Sequence, residues 1–163
     1  MQLFESNYFT YRGKKLFCEN TSLESIANDV DTPVYVYSKN FMIDRFNEFS
    51  EAFRRVNHKI FYACKANFNI SILRLFDNLG AGIDVNSSGE FYRAKKAGID
   101  PSNMIFSGVG KTEEEIKLAL ENDIRLIKSE SIEEINLINE IAIKLEKNAP
   151  IAIRVNPNVD PVT

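Results

Sequence analysis

The chain has 163 residues, of which 44% are hydrophobic and 26% are charged, with a formal net charge of -3 and a pI near 5.3. This length allows a domain with a substantial core, and the hydrophobic fraction excludes a disordered chain. The slightly acidic balance argues against nucleic acid as a partner, because phosphate binding needs a basic face. Two cysteines, Cys18 and Cys64, are too few for a disulfide framework and fit a reducing compartment.

The first 31 residues are predicted to form a β-rich segment. Two strands are expected around a turn at Arg12-Gly13-Lys14, and Thr21-x-x-Glu24 is predicted to cap a short helix. The N-terminus has no basic stretch followed by an apolar one, so we expect no signal peptide. No apolar run approaches the length of a membrane span, and we therefore expect a cytoplasmic protein without a membrane partner. The β-prone residues of this segment are Leu3, Phe4, Tyr8, Phe9, Tyr11, Leu16 and Phe17.

From residue 32 onwards, short apolar runs alternate with helical patterns. The first helix is predicted from apolar residues spaced three and four apart, from Met42 to Val56. Later helices begin at caps: Asn69, then Ser-x-x-Glu or Thr-x-x-Glu boxes at 87–90, 112–115 and 131–134, with Gly80 and Gly98 as stop signals. The predicted strands are 34–37, 60–63, 83–85, 104–107, 124–127 and 151–155.

Strand–helix alternation of this kind predicts a parallel sheet covered by helices, as an open doubly wound sheet or as a (β/α) barrel. Polar residues follow the strand ends, and in a barrel these ends converge on one mouth where catalytic groups lie. An open sheet more often carries a G-x-G-x-x-G loop, which the chain lacks; Gly108-Val-Gly110 is a lone G-x-G. The pattern favours a partial barrel, since five or six strands are fewer than eight. The strand-end residues are Lys65, Asn67, Asp84, Asn86, Ser107, Lys128, Ser129, Arg154 and Asn156.

Lys65 is the leading candidate for a catalytic residue. It follows the apolar run from Ile60 to Cys64, which is typical of a buried strand. A lysine at the end of such a strand is partly stripped of water, and desolvation favours the neutral amine, which is a nucleophile that condenses with aldehydes. Pyridoxal phosphate (PLP) is the aldehyde that we favour. The alternative is an ordinary surface lysine, since lysine is seldom buried.

Five motifs, taken in order, give a resemblance that covers almost the whole chain. Together they resemble the N-terminal part of the diaminopimelate decarboxylases, a family of fold-type III PLP-dependent decarboxylases with an alanine-racemase-like barrel. K-A-N by itself is shared with ornithine decarboxylases and racemases, whereas S-G-V-G-K-T-E-E-E is more specific. The motifs are T-P-V-Y-V-Y-S at 32–38, F-Y-A-C-K-A-N at 61–67, L-G-A-G-I-D-V-N-S-S-G-E at 79–90, I-F-S-G-V-G-K-T-E-E-E-I at 105–116 and I-A-I-R-V-N-P at 151–157.

The resemblance implies roles for three residues. Lys65 corresponds to the lysine that carries PLP, Asp84 to an aspartate beside that lysine, and Arg154 to an arginine near the cofactor ring. Each has a plainer alternative: Asp84 as a strand terminator, and Arg154 as an ion-paired barrel residue. No metal site is predicted.

Three other polar residues near these motifs are given structural roles. The capping box explains Glu90, so we do not interpret it as catalytic. His58, the only histidine, is interpreted as a solvated loop residue. Cys64 is interpreted as a small packed residue.

The resemblance also implies an activity, the decarboxylation of meso-2,6-diaminopimelate to L-lysine, by a homodimer in the full-length enzyme. The Gly-rich phosphate segment, the glutamate for the pyridinium nitrogen and a C-terminal β-domain are expected downstream of residue 163, so the fragment alone is expected to be inactive. Residues 1–31 are then expected to belong to that β-domain, and 32–163 to an incomplete PLP-binding barrel. The alternatives are an ornithine, arginine or carboxynorspermidine decarboxylase, a PLP-binding relative without turnover, or a non-catalytic parallel-sheet module.

Overall fold

The computed structural model describes residues 6–159, which divide into two compact units, one up to His58 and one from Lys59. The first unit begins with three antiparallel strands in the order β1-β2-β3, and the turn between β1 and β2 uses Gly13 at φ 66°. Two helices follow the strands. The bounds are β1 Phe9–Arg12, β2 Lys15–Cys18, β3 Thr21–Ser22, α1 Leu23–Val30 and α2 Lys39–Ala52.

The predicted β-rich start and both helices of the first unit are confirmed, with differences at their ends. Ser22, and not Thr21, caps α1, because its side chain accepts the Ser25 N–H at 3.1 Å. Helix α2 ends at Ala52, before the last residues of the predicted apolar face. The predicted residues Leu3 and Phe4 lie outside the described part of the chain.

The predicted strand at 34–37 is wrong. These residues have no strand assignment, and no ladder among the described residues includes them. Tyr35 is 89% exposed, so the run lacks both the partner and the packing surface that a strand needs. The predicted boundary between residues 31 and 32, which assigns the first segment to a β-domain, stays a prediction.

The second unit is a five-stranded parallel sheet in which each of the first four strands is followed by a helix, as predicted. Its order is β4-β5-β6-β7-β8, without reversal, and so it lacks the switch point that defines a doubly wound sheet. Strand β7 begins two residues later than predicted. The bounds are β4 Phe61–Ala63, α3 Ile70–Asn78, β5 Gly82–Val85, α4 Ser88–Lys96, β6 Met104–Phe106, α5 Glu113–Glu121, β7 Leu126–Ser129, α6 Ile132–Lys144 and β8 Ile151–Ile153.

One face of this sheet forms the core with the helices. Alternate strand residues, which share a face, are fully buried in a single cluster with apolar residues of α3 to α6. The residues between them belong to the opposite face and lie outside that cluster. Cluster members from the strands are Ile83, Val85, Met104, Phe106 and Ile127.

Helix caps explain where the helices of the second unit begin. Asn69, Ser87, Thr112 and Ser131 each accept an N–H from the first helical turn, as predicted. Only the box at Thr112 and Glu115 is reciprocal, however. Among the described residues, no helix has the length and apolar character needed to cross a bilayer.

Candidate functional site

A cavity of about 390 Å³ lies at the carboxyl ends of the parallel strands. All five strands contribute to its wall, either directly or through the residues that follow them, because the strands are parallel and in sequential order. The predicted convergence of strand-end residues is therefore seen for six of the nine. The cavity is lined by Ala63, Lys65, Asp84, Asn86, Ser107, Lys128, Ala152, Ile153 and Arg154.

Sheet register positions Lys65 and Asp84 at the same end of neighbouring strands. Ala63, the last residue of β4, pairs with Asp84 of β5. The chain then turns through a 3₁₀ helix, Cys64–Ala66, and this turn carries Lys65. The structure thus brings Lys65, Asp84 and Arg154, the three predicted site residues, to one cavity.

The expected desolvation of Lys65 is wrong for this chain. Lys65 is exposed, because it sits in a turn beyond the strand end, at a cavity open to solvent. Its amine has no hydrogen-bond or ion-pair partner within residues 6–159. The Lys65 amine is therefore available to a molecule in the cavity because of its position and its unengaged nitrogen, and not because of burial.

Only one of the two carboxylate oxygens of Asp84 has a hydrogen-bond partner in the described part of the chain. Its Oδ2 accepts a hydrogen bond from Lys128 Nζ at 3.1 Å, with Asp84 18% and Lys128 34% exposed at their side chains. Its Oδ1 is buried and has no hydrogen-bond partner in the structure. A buried carboxylate oxygen without a donor is unfavourable, so Asp84, which lines the cavity, retains an acceptor that the described residues do not satisfy.

A second polar atom of the wall is in the same situation. Ser107 Oγ is buried without a hydrogen-bond partner, although the Ser107 N–H is held by Val85 O at 2.8 Å. The next residue, Gly108, lies against the loop after β5: a Cβ there would meet Asn86 O at 2.1 Å. Glycine is required here by this close approach of two backbones.

Arg154 follows β8, and both its backbone N–H and its guanidinium donate hydrogen bonds. Its N–H donates to Ser129 O at 2.8 Å, and its guanidinium donates to Glu130 Oε1 at 2.7 Å. The side chain is nevertheless 61% exposed. The alternative role of Arg154, as an ion-paired barrel residue, is therefore confirmed. The ion pair does not exclude a cofactor contact, because a guanidinium has five N–H donors.

The polar residues that were interpreted as structural have the following environments. His58 is exposed, as predicted, with Nδ1 3.0 Å from Val56 O. Cys64 is fully buried, as predicted; burial first, and then the charge of Glu90, raise the pKa of its thiol to about 12. Glu90 does not complete a capping box: its Oε2 accepts the Asn86 N–H at 2.8 Å, one residue before the cap.

Lys128 and Ser107 are the residues whose importance the sequence reasoning missed. Both are among the predicted strand-end residues, but the sequence predicts no site role for either. Lys128 lies two residues after Leu126 in β7, so the two share the face of the sheet that carries Asp84. Because strand side chains alternate with a period of two, the two-residue difference at the start of β7 does not change the face on which Lys128 lies. Its pairing with Asp84 depends on the register between strands, which local patterns do not give.

The cavity suits a small anionic aldehyde. Lys65, Lys128 and Arg154 bring three cationic side chains, and Asp84 Oδ1 and Ser107 Oγ are two buried polar atoms without partners. A primary amine for the aldehyde and cations for a phosphate or carboxylate are the groups that PLP and an amino acid need.

Comparison with known proteins agrees with this chemistry. Residues 40–163 match the family described as the pyridoxal-binding domain of the pyridoxal-dependent decarboxylases. The chain belongs to this family. PLP, the predicted cofactor, is thereby confirmed as the cofactor of the domain. The predicted fold, a partial barrel, is confirmed as well.

The similar proteins include diaminopimelate decarboxylases. The enzyme of that name from Aquifex aeolicus is 49% identical over 156 residues, covering 96% of this chain and 37% of the relative. The solved diaminopimelate decarboxylase from M. jannaschii, in a complex with L-lysine, has a TM-score of 0.87 and 38% identity, covering 96% of this chain and 38% of that one.

A solved enzyme with another name is more distant. The lysine decarboxylase from Selenomonas ruminantium has a TM-score of 0.74 and 26% identity, covering 83% of this chain and 35% of that one. This chain therefore spans a little over a third of the length of the proteins that it matches.

Proposed function

We propose that this chain is the PLP-binding part of a diaminopimelate decarboxylase, which converts meso-2,6-diaminopimelate to L-lysine and CO₂ in lysine biosynthesis. The observation that carries the proposal is the cavity shared by Lys65, Asp84 and Arg154. Its support from relatives is the 49% identity to a protein of that name, over nearly all of this chain.

Each residue of the cavity has a distinct task in this proposal. When bound, PLP supplies the electron sink that accepts the electron pair left by departing CO₂. Lys65 Nζ would hold the aldehyde of PLP, and it is available for this because it has no hydrogen-bond or ion-pair partner among the described residues. Because Lys65 lies in the cavity wall, its Nζ would also be placed to donate a proton to a bound substrate.

The other side chains bind and orient. Asp84 would accept a hydrogen bond from a cationic nitrogen of the ligand through Oδ1, which has no partner in the structure, while Lys128 holds Oδ2. Arg154 contributes positive charge at the far wall, and Ser107 Oγ offers a hydrogen bond to an anionic oxygen. The phosphate cradle and the partner of the pyridinium nitrogen are expected from residues outside this chain.

The wider setting is part of the same proposal. We infer a cytoplasmic homodimer that takes a small diamino acid and has no nucleic-acid or membrane partner, and we expect the 163-residue chain alone to lack turnover. The net charge of -3 supports the absence of a nucleic-acid partner, and the greater length of the relatives supports the expectation that this chain alone lacks turnover.

A second candidate is a decarboxylase of the same fold that acts on another amino acid. The similarity to a lysine decarboxylase, at 26% identity, supports this second candidate, because one fold can serve enzymes with different substrates.

The test is CO₂ release by the protein expressed from its complete reading frame, with PLP and with each of meso-diaminopimelate, ornithine, arginine, lysine and carboxynorspermidine. We expect CO₂ from meso-diaminopimelate, its loss in Lys65→Met, and no change in the control Lys96→Met, an exposed lysine of α4 outside the cavity. CO₂ from another of these substrates alone would favour the second candidate. Bound PLP without CO₂ from any substrate would contradict both.

A further inference from the structure

Lys111, in the S-G-V-G-K-T motif, is a buried lysine that the cavity does not use directly. Its side chain is 1% exposed, and Lys111 is absent from the cavity wall. Its ammonium donates to Gly108 O at 2.8 Å and to Lys128 O at 2.5 Å, and pairs with Glu134 Oε1 at 3.0 Å. An ammonium has three donors, and all three are engaged.

The two carbonyl oxygens that Lys111 binds belong to the backbone behind the cavity wall. Lys128 presents its side chain to Asp84, and Gly108 follows Ser107, whose Oγ lacks a partner. One ammonium therefore ties the end of β7 to the loop after β6 and anchors both to Glu134 of α6. We propose that Lys111 is a positioning residue, which holds Lys128 and Ser107 in register with Asp84 at the cavity.

A gain in stability does not by itself explain the buried ion pair between Lys111 and Glu134. A buried ion pair loses much of its Coulombic gain to desolvation, and apolar residues of similar volume often replace one without loss of stability. An apolar side chain cannot, however, bridge two backbone carbonyl groups of separate segments. Burial acts to raise the pKa of Glu134, but hydrogen bonds from the Glu130 N–H and from Lys111 outweigh it, so that this pKa is lowered and the carboxylate stays available.

The test separates positioning from folding with two variants. Lys111→Met leaves the largely buried carboxylate of Glu134 without its cation, and we expect a lower Tm. Lys111→Met/Glu134→Leu removes both charges, and we expect Tm to recover in part, since the Glu130 N–H also loses its acceptor. The matched control is Lys117→Met/Glu121→Leu, which removes an exposed ion pair of α5 with its charges 3.8 Å apart.

The deciding readout is the acetylation rate of Lys128, followed by mass spectrometry on the protein from its complete reading frame, without PLP. Loss of register frees Lys128 from Asp84, so we expect its rate to rise about tenfold in both Lys111 variants, and not in the control. Wild-type rates in the double variant would overturn the proposal, because the register would then survive without Lys111.

PLP affinity, measured by absorbance titration, is the second readout and rests on the proposed function. We expect it to fall about tenfold in the double variant despite the partly recovered Tm. Recovery of both Tm and affinity would contradict a positioning role. Failure of the wild type to bind PLP would contradict the proposed function, while the acetylation rate would still decide the role of Lys111.

Discussion

The two faces of the parallel sheet differ in what they contribute. On the face toward the helices, Ile83, Val85, Phe106 and Ile127 are fully buried in one apolar cluster. On the opposite face, alternating with them, Asp84 and Lys128 form an ion pair and remain partly accessible. The alternation of a strand thus separates a stabilising surface from a binding surface within the same few residues.

Two consecutive residues after β4, Cys64 and Lys65, show the same separation between a stabilising surface and a binding surface. Cys64 is fully buried in the core cluster, and the next residue, Lys65, is exposed at the cavity. Substitutions on the helix side should therefore change stability first, and substitutions on the cavity side should change ligand binding first.

The largest expected effect on stability is that of Phe106→Ala. It removes a fully buried ring from the helix-covered face, and we expect a loss of about 3–5 kcal/mol in the free energy of unfolding. Leu126→Ala, on the opposite face and only half-buried, should lose less than about half of this. Urea unfolding of both variants is the measurement, and equal losses would contradict the separation of the two faces.

The next effect is that of Gly108→Ala, behind the cavity wall. The new Cβ would clash with the backbone of Asn86, and we expect a loss of about 1–3 kcal/mol together with weaker PLP binding. Gly89→Ala in α4 is the matched control: its Cβ would meet only Ser87 Oγ, at 3.8 Å, and should stabilise the helix by up to about 1 kcal/mol. Thermal unfolding in which both variants behave alike would contradict the close approach at Gly108.

A smaller effect is the pH dependence that Glu134 contributes. The folded-state pKa of Glu134 lies below the ordinary value of 4.5. Its contribution to the free energy of unfolding is therefore fully present above that value and is lost as the pH falls through the folded-state pKa. Glu134→Gln should therefore flatten the acid side of the stability–pH curve. Urea midpoints of the wild type and the variant across the acid range measure this; an unaltered curve in Glu134→Gln would count against the buried pair.

The smallest effect concerns the two thiols, and it leaves stability untouched. The thiolate is the reactive form of cysteine; burial raises the pKa of Cys64 to about 12 and also raises that of Cys18. Iodoacetamide at about pH 8 should label neither thiol in the folded protein, and should label both in urea. Rapid labelling of Cys64 in the folded protein would show that the helix side is less closed than its burial indicates.

Local signals were sufficient to predict most of the second unit. Helix caps such as Asn69 and Thr112 satisfy backbone groups within a few residues, and so they can be read from the sequence. The convergence of Lys65 and Asp84 follows from parallel strands in sequential order, which also requires only local patterns.

Features that depend on distant residues could not be predicted in the same way. The run at 34–37 has strand propensity, but a strand exists only where another strand pairs with it. The exposure of Lys65 depends on how much chain surrounds the cavity, and the pairing of Lys128 with Asp84 depends on register across strands. Glu90 carries the same Ser-x-x-Glu signature as a true capping box, yet its carboxylate binds Asn86.

The most direct test of the central claim is to identify the lysine that PLP occupies. The protein from its complete reading frame is incubated with PLP, reduced with borohydride to make any linkage permanent, and mapped by mass spectrometry. We expect the label on Lys65, with none on Lys128, and its loss in Lys65→Arg. A label on Lys128 or elsewhere, with Lys65 unmodified, would contradict the assignment of this cavity as the site where PLP is held.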